Sequence, residues 1–209
     1  MKAKSVKGRP AQITKQEIIK CALEIGLAKV SMHALGKALG VSATALYRHV
    51  NSKDDLIIQC CDYVMESVAQ PHGEDWETYL YSFGNNFRAA LLAISGSVEF
   101  VRYNQQFTPS SCVLVNDALR VLDQSGFDIQ KGFMAFATVF TKVTDIVQHQ
   151  EQALYLQQHS TTESIPSFEG AEHLPYLAQL MSQTEPVNYD EYFSEGLNIV
   201  IEGLKAVYR

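Results

Sequence analysis

Several kinds of residue pattern are missing from this 209-residue chain, and each absence closes off a class of protein. There are four cysteines, Cys21, Cys60, Cys61 and Cys112, with neither paired metal spacing nor a disulfide framework. They read as reduced thiols in the core or on the surface. No apolar run approaches the roughly 18 residues that a bilayer span needs, so no membrane partner is expected. Met1 to Pro10 is basic, but no apolar segment follows it as a secretory signal requires. His-Glu-x-x-His, a Gly-rich phosphate loop, Gly-x-Ser-x-Gly and a paired-cysteine cluster are all missing. His149 near Asp145 and Glu151 invites a hydrolase or metal reading, but without those motifs an enzyme is a remote alternative. No catalytic residue, metal ligand or cofactor is predicted. Alternation at period two never persists, which argues against a sheet.

What is present is an ordinary globular balance, 46% hydrophobic and 19% charged, enough to bury a sizeable core. The formal net charge of −6 conceals an asymmetry. Residues 1–53 hold ten Lys/Arg against two acids, a net of +8, and the remainder carries −14. A basic head on an acidic body suggests that the head alone meets a polyanion. A solvated basic arm would give the same charge.

The head reads as short helices. Thr14-Lys15-Gln16-Glu17 is a capping box, followed at helical spacing by Ile18, Ile19, Ala22, Leu23 and Ile25, with Gly26 a left-handed stop. Ser31 can cap a second helix ending at Gly40, and Val41 follows as a buried plug. Ser42 can cap a third, running through Val50. Ser52-Lys53-Asp54-Asp55 opens a fourth, continuous from Asp54 to Ala69. Two short helices joined through Gly40-Val41-Ser42 make a helix-turn-helix pattern. Leu35, Leu39, Val41, Leu46 and Val50 can pack with Ile18, Ala22 and Ile25. That leaves Ala43, Thr44, Tyr47 and Arg48 outward on a rod roughly 13–14 Å long, able to enter a major groove about 12 Å wide. Arg48 can offer a fork to guanine or a charge to phosphate, and Ala43 and the Thr44 methyl suit thymine.

Gly40-Val41-Ser42 followed by Leu46-Tyr47-Arg48-His49-Val50-Asn51-Ser52-Lys53 resembles the DNA-binding signature of the tetracycline-repressor (TetR) family. The resemblance covers roughly Gln12 to Ala69. It implies that Tyr47 and Lys53 contact phosphates and that Ala43, Thr44 and Arg48 face bases. Ser31 and His33 would touch the backbone or base edges, and Ser42, which opens the rod, is counted with them. His49 reads as a packing or capping histidine.

The body carries helical stripes. Trp76, Leu80, Phe83, Phe87 and Leu91 mark residues 76–94. Val113, Val115, Leu119 and Leu122 mark 110–125, with Gly126 as the stop. Phe133, Phe136, Phe140, Val143 and Val147 mark 128–158. Asn188-Tyr189-Asp190-Glu191 can cap a last helix carrying Phe193, Leu197, Val200, Ile201, Leu204 and Tyr208. Residues 160–175 read as a mobile loop. The fold class expected is therefore all-α: a three-helix DNA-binding domain over residues 1–53, joined by a continuous helix to a helical effector-binding and dimerisation domain over 54–209. The resemblance further implies that the helices at 128–158 and 188–208 form a four-helix dimer interface.

The body also resembles the tetracycline-repressor subgroup, at Asp75-Trp76, Asn86-Phe87-Arg88, Ala90-Leu91-Leu92, Gly126-Phe127, His149-Gln150-Glu151, Phe193, Gly196-Leu197 and Gly203-Leu204. The drug site departs from that pattern. Met65 stands where the subgroup has a drug-holding histidine, Phe83 where it has an asparagine, and Phe100 near its metal-ligating histidine. Losing those donors points to a different, more apolar effector, or to none. Met65, Phe83, Phe87, Phe100, Tyr103, Leu119, Phe136 and His149 are the pocket candidates. The function expected is a homodimeric repressor on a palindromic double-stranded operator, in the bacterial cytoplasm at the nucleoid. A small effector would release it by tilting the helix after Ser52 and splaying the two recognition helices. Control by a protein partner instead of a small molecule is the alternative.

Overall fold

The computed structural model describes residues 13–159, 173–182 and 187–208. The basic arm and most of the expected 160–175 loop, with Pro166, lie outside the described residues. Among those described there are ten helices and no strand. They group into two compact units, Met1–Ala69 with Ala89–Asn116, and Gln70–Arg88 with Asp117–Arg209. This grouping by packing does not fall at residue 53.

In the first unit, α1 (Lys15–Ile25) begins at the Thr14 capping box: Thr14 Oγ1 accepts from the Glu17 N–H at 3.2 Å, and the Thr14 N–H donates to the Glu17 carboxylate at 2.8 Å. It stops at Gly26, whose φ of 81° is positive but whose ψ of 153° lies outside the left-handed helical region. α2 (Met32–Leu39) starts at Ser31, whose Oγ accepts from the Ala34 N–H, and ends at Gly40 in the left-handed conformation. α3 (Ala43–Leu46) starts at Ser42, whose Oγ accepts from the Ala45 N–H.

The expected nine-residue third helix is shorter than its sequence suggests. Beyond Leu46 the backbone tightens into a turn: the Arg48 N–H donates to the Ala45 carbonyl and the His49 N–H to the Leu46 carbonyl. The tightening carries Val50 into the core, 1% exposed, just before the next cap. Leu35, Leu46, Ile18 and Ala22 are fully buried with it. Leu39, Ile25 and the expected plug Val41 are only half-buried. The core is closed by Gly36, where a Cβ would stand 2.9 Å from the Val41 carbonyl oxygen. Only glycine lets α2 and the turn approach so closely.

α4 (Lys53–Glu66) ends three residues short of the expected boundary at Ala69, with Ser67 as its C-cap. Ser52 Oγ accepts from the Asp55 N–H, and the Asp55 carboxylate reaches back to Asn51, taking its backbone N–H at 2.7 Å. α4 packs on α1 and on α6 (Ser97–Tyr103), a helix the sequence reading did not separate. Asp62 accepts from the Ser110 N–H at the start of α7 (Pro109–Gln124), and Thr108 and Ser111 cap one another there. Burial pushes the Cys60 thiol up to about 12, so it is inert in the core.

The second unit is built around α5 (Trp76–Ala93), whose residues to Arg88 belong to it, α8 (Ile129–His159) and α10 (Tyr189–Val207). Asp75 caps α5 through the Thr78 N–H at 2.8 Å. Asn188 caps α10. α9 (Pro175–Met181) begins where the loop was expected to end. The helices close tightly at two glycines: a Cβ at Gly84 would meet Leu197, and one at Gly196 would meet Lys142 and Ile146. On α7 the expected stripe is buried only in part: Leu122 is fully buried as expected, Val115 and Leu119 are half-buried, and Val113 is 64% exposed, whereas Leu114, Ala118 and Val121 are buried. Two adjacent apolar stripes differ there by one residue, and only packing chooses between them.

Candidate nucleic-acid interface

The first unit divides its side chains cleanly. Leu46 and Val50 point into the core, whereas Ser42, Ala43, Thr44, Tyr47 and Arg48 are exposed on the same short element. Tyr47 keeps 52% of its surface exposed, so it is no core tyrosine. Ser31, His33 and Lys53 are exposed as well, so all eight candidates for DNA contact are accessible. Ser31 and Ser42 use their hydroxyl oxygens to hold helix N-termini. Each keeps one hydroxyl hydrogen to donate outward, as a phosphate contact requires. The chemistry offered is two cations, a phenol and hydroxyls around a small apolar patch at Ala43 and the Thr44 methyl. That is a set for phosphates and base edges. Gly36 and Asn51 hold this surface in place, and neither was singled out in the sequence. Gly36 is recognisable only once the Val41 carbonyl is seen against it.

The second unit contains a stack of rings. Phe83 and Phe87 lie with centroids 5.4 Å apart, Phe83 and Phe136 4.5 Å apart, and Phe87 and Phe140 4.9 Å apart. Phe83, Phe87 and Phe136 are therefore brought together, all buried. The other pocket candidates are scattered. Met65 and Phe100 are buried in the first unit, and Leu119 is half-buried in the second. Two do not fit an apolar lining. Tyr103 is 60% exposed, beside an open groove of about 590 Å³ that it shares with Ile57, Ile58 and Gln105. His149 is exposed, and its carbonyl accepts from the Tyr189 hydroxyl. Tyr103 ends the short α6, and His149 lies just past the α8 stripe that ends at Val147.

A polar cluster around the buried Tyr79 has no signal in the sequence. The Tyr79 hydroxyl donates to Asp117 at 2.8 Å, and Gln70 and Arg120 donate to the same carboxylate. Burial, reinforced by Asp117, raises the Tyr79 phenol above its ordinary range. Burial pushes Asp117 up as well, but the hydrogen bonds from Arg120, Tyr79 and Gln70 outweigh it and hold the carboxyl below its ordinary value. Among the described residues there is no group of three His, Cys, Asp or Glu placed to hold a metal, and no helix long and apolar enough to cross a membrane.

The family model described as "Tetracyclin repressor-like, C-terminal domain" matches residues 69–208, and that described as "Bacterial regulatory proteins, tetR family" matches residues 18–60. The chain belongs to the TetR family. TetR family proteins are DNA-binding transcriptional regulators, and the exposed residues 42–48 lie within the span matched by the tetR family model. The chain is 23% identical to the class D tetracycline repressor of Escherichia coli, covering 93% of this chain and 90% of that protein. It is 33% identical over 86 residues to an HTH-type transcriptional regulator of Saccharopolyspora erythraea, covering 38% of this chain and 36% of that protein. Among solved structures it is similar to the TetR family protein ActR of Streptomyces coelicolor in complex with actinorhodin. The TM-score is 0.74 at 25% identity, covering 94% of this chain and 98% of that one.

Proposed function

We propose that this TetR regulator is a repressor that binds a palindromic operator as a homodimer and lets go when a small molecule enters its helical body. The observation that carries the DNA part is the opposed burial of Leu46 and Val50 against exposed Ala43, Thr44, Tyr47 and Arg48. Arg48 and Thr44 read bases, Tyr47 and Lys53 grip phosphates, and Ser31, His33 and Ser42 fix the docking angle.

A lone short element holds DNA weakly, and two-fold operators reward a two-fold protein. The surface available for a second copy lies on α8 and α10. Met134 is 57% exposed, Ile199 69% and Val207 72%, and Gly203 has no heavy atom within 4 Å of where its Cβ would be. Glutamate at Ile199 is expected to convert dimer to monomer in light scattering and to abolish operator binding.

The effector belongs to the second domain, and ActR, similar over nearly all of this chain, is solved with two ligands, (S)-DNPA and actinorhodin. Within the first unit, α4 is held at its start by Ser52 and Asp55 and, one turn before its end, by Asp62 at the α7 N-terminus. Such a helix moves as a rod, which suits a lever that changes the separation of two recognition elements. A coupling of about 1–3 kcal/mol gives roughly 5–150-fold release. The test is selection of bound sequences from random DNA, repeated with a panel of polycyclic and aromatic compounds. A palindrome recovered without compound and lost with one supports the reading, and recovery of no motif contradicts it.

A further inference from the structure

The Arg88 side chain is 13% exposed, and its guanidinium carbon lies 4.7 Å above the Phe193 ring. Its Nη2 donates to Asp190 Oδ1 at 2.7 Å, to Gln150 Oε1 at 3.1 Å and to the Tyr189 carbonyl at 3.4 Å. Its Nε is buried and has no hydrogen-bond partner. That distribution is uneven. A guanidinium presents Nε and Nη2 as two parallel donors, matched to the two oxygens of one carboxylate. Asp190 meets only one of them, from a side chain that is 84% exposed. A buried N–H left unmatched on a charged group is unfavourable and calls for an acceptor.

We propose that Arg88 anchors a carboxylate-bearing aromatic ligand, which takes Nε and Nη2 together and displaces Asp190. Asp190 marks the solvent side of the guanidinium, so the incoming carboxylate enters where the aspartate leaves. The surroundings favour an aromatic body. Phe193 lies under the cation, and Tyr189 and Tyr192 meet edge-on at the same turn, with Tyr192 43% exposed. Displacing Asp190 frees the first turn of α10, where Asn188 alone remains as the cap. The proposal rests on the effector reading above and narrows it: the ligand is an organic acid and not a wholly apolar molecule.

The experiment titrates the full chain, without DNA, with 2-naphthoate and with its uncharged counterpart 2-naphthamide by calorimetry. The acid is expected to bind at least about tenfold more tightly than the amide, the worth of a charge-assisted bidentate contact. D190N removes the internal competitor and is expected to tighten the acid about two- to fivefold with no effect on the amide. R88Q is expected to erase the difference between acid and amide. If R88Q does not fold, D190N still decides. Equal binding of acid and amide overturns the Arg88 anchor while leaving an effector-responsive regulator intact. Binding of neither also overturns the anchor, and the DNA selection with other compounds then judges the effector reading by itself. Tighter acid binding by D190N together with unchanged DNA release supports the anchor and counts against acids as the releasing signal.

Discussion

In the first unit a four-residue helix hides Leu46 and leaves Ala43, Thr44, Tyr47 and Arg48 outside, whereas in the second unit Phe83, Phe87 and Phe136 turn their rings on one another. The first arrangement makes a surface whose chemistry is read off directly. The second makes a core, in which the same residues serve stability whatever else they do. A short motif with fixed spacing constrains which side chains must face out, because only one rotation of the helix buries its few apolar residues. A long helix rich in aromatics satisfies packing in several ways, so composition does not say which rings line a cavity.

The largest expected effect that sharpens this contrast is at Phe83. F83A should destabilise the protein by about 3–5 kcal/mol in denaturant unfolding, as a fully buried ring in a stack does. An effect below about 1 kcal/mol would mean that the rings border open space. Next is G36A. In an ordinary helix it would stabilise by up to about 1 kcal/mol. Here the Cβ meets the Val41 carbonyl oxygen at 2.9 Å, so the sign should reverse to a loss of about 1–3 kcal/mol with weakened DNA binding.

R48A should leave unfolding unchanged, because the side chain is exposed. It should cost about 1–3 kcal/mol in operator affinity and relax preference at one base position. Uniform weakening across sequences would move Arg48 from base to phosphate. The smallest effect concerns Asp55. The Asn51 backbone N–H holds its carboxyl below the ordinary value of 3.8 against opposing burial, with side-chain bonds from Gln59 and Asn51 helping. A depressed carboxyl stabilises the fold fully above its unfolded value and loses that contribution as pH falls through the folded one. D55N should therefore cost about 1 kcal/mol at pH 7, and the gap to the unsubstituted chain should close below pH 3.8. A constant gap would assign the effect to shape rather than charge.

The head was legible because its signals are local. Thr14, Ser31, Ser42 and Ser52 cap the helices they precede, and Gly40 adopts the left-handed turn. The exceptions arise where tertiary contact decides. Val50 draws the third helix into a tight turn, and Gly36 is needed only because Val41 lies against it. In the body the long helices and the Asn188 cap follow from periodicity, but α6 is too short to show one. On α7 the sequence finds Leu122 but not Leu114, because Val113 and Leu114 begin equally apolar stripes. The Tyr79–Asp117 pair joins residues 38 apart, and the Arg88–Asp190 pair residues 102 apart, beyond any local pattern.

The outer face of residues 42–48 is expected to enter duplex DNA as one of a symmetric pair. Selection of bound sequences from random DNA by the unsubstituted chain and by R48A, at fixed salt, tests it most directly. The expected result is an inverted repeat whose half-sites lie about one helical turn apart, with base preference lost at the same position in both halves for R48A. A single unrepeated site, or no enrichment at low salt, would contradict it.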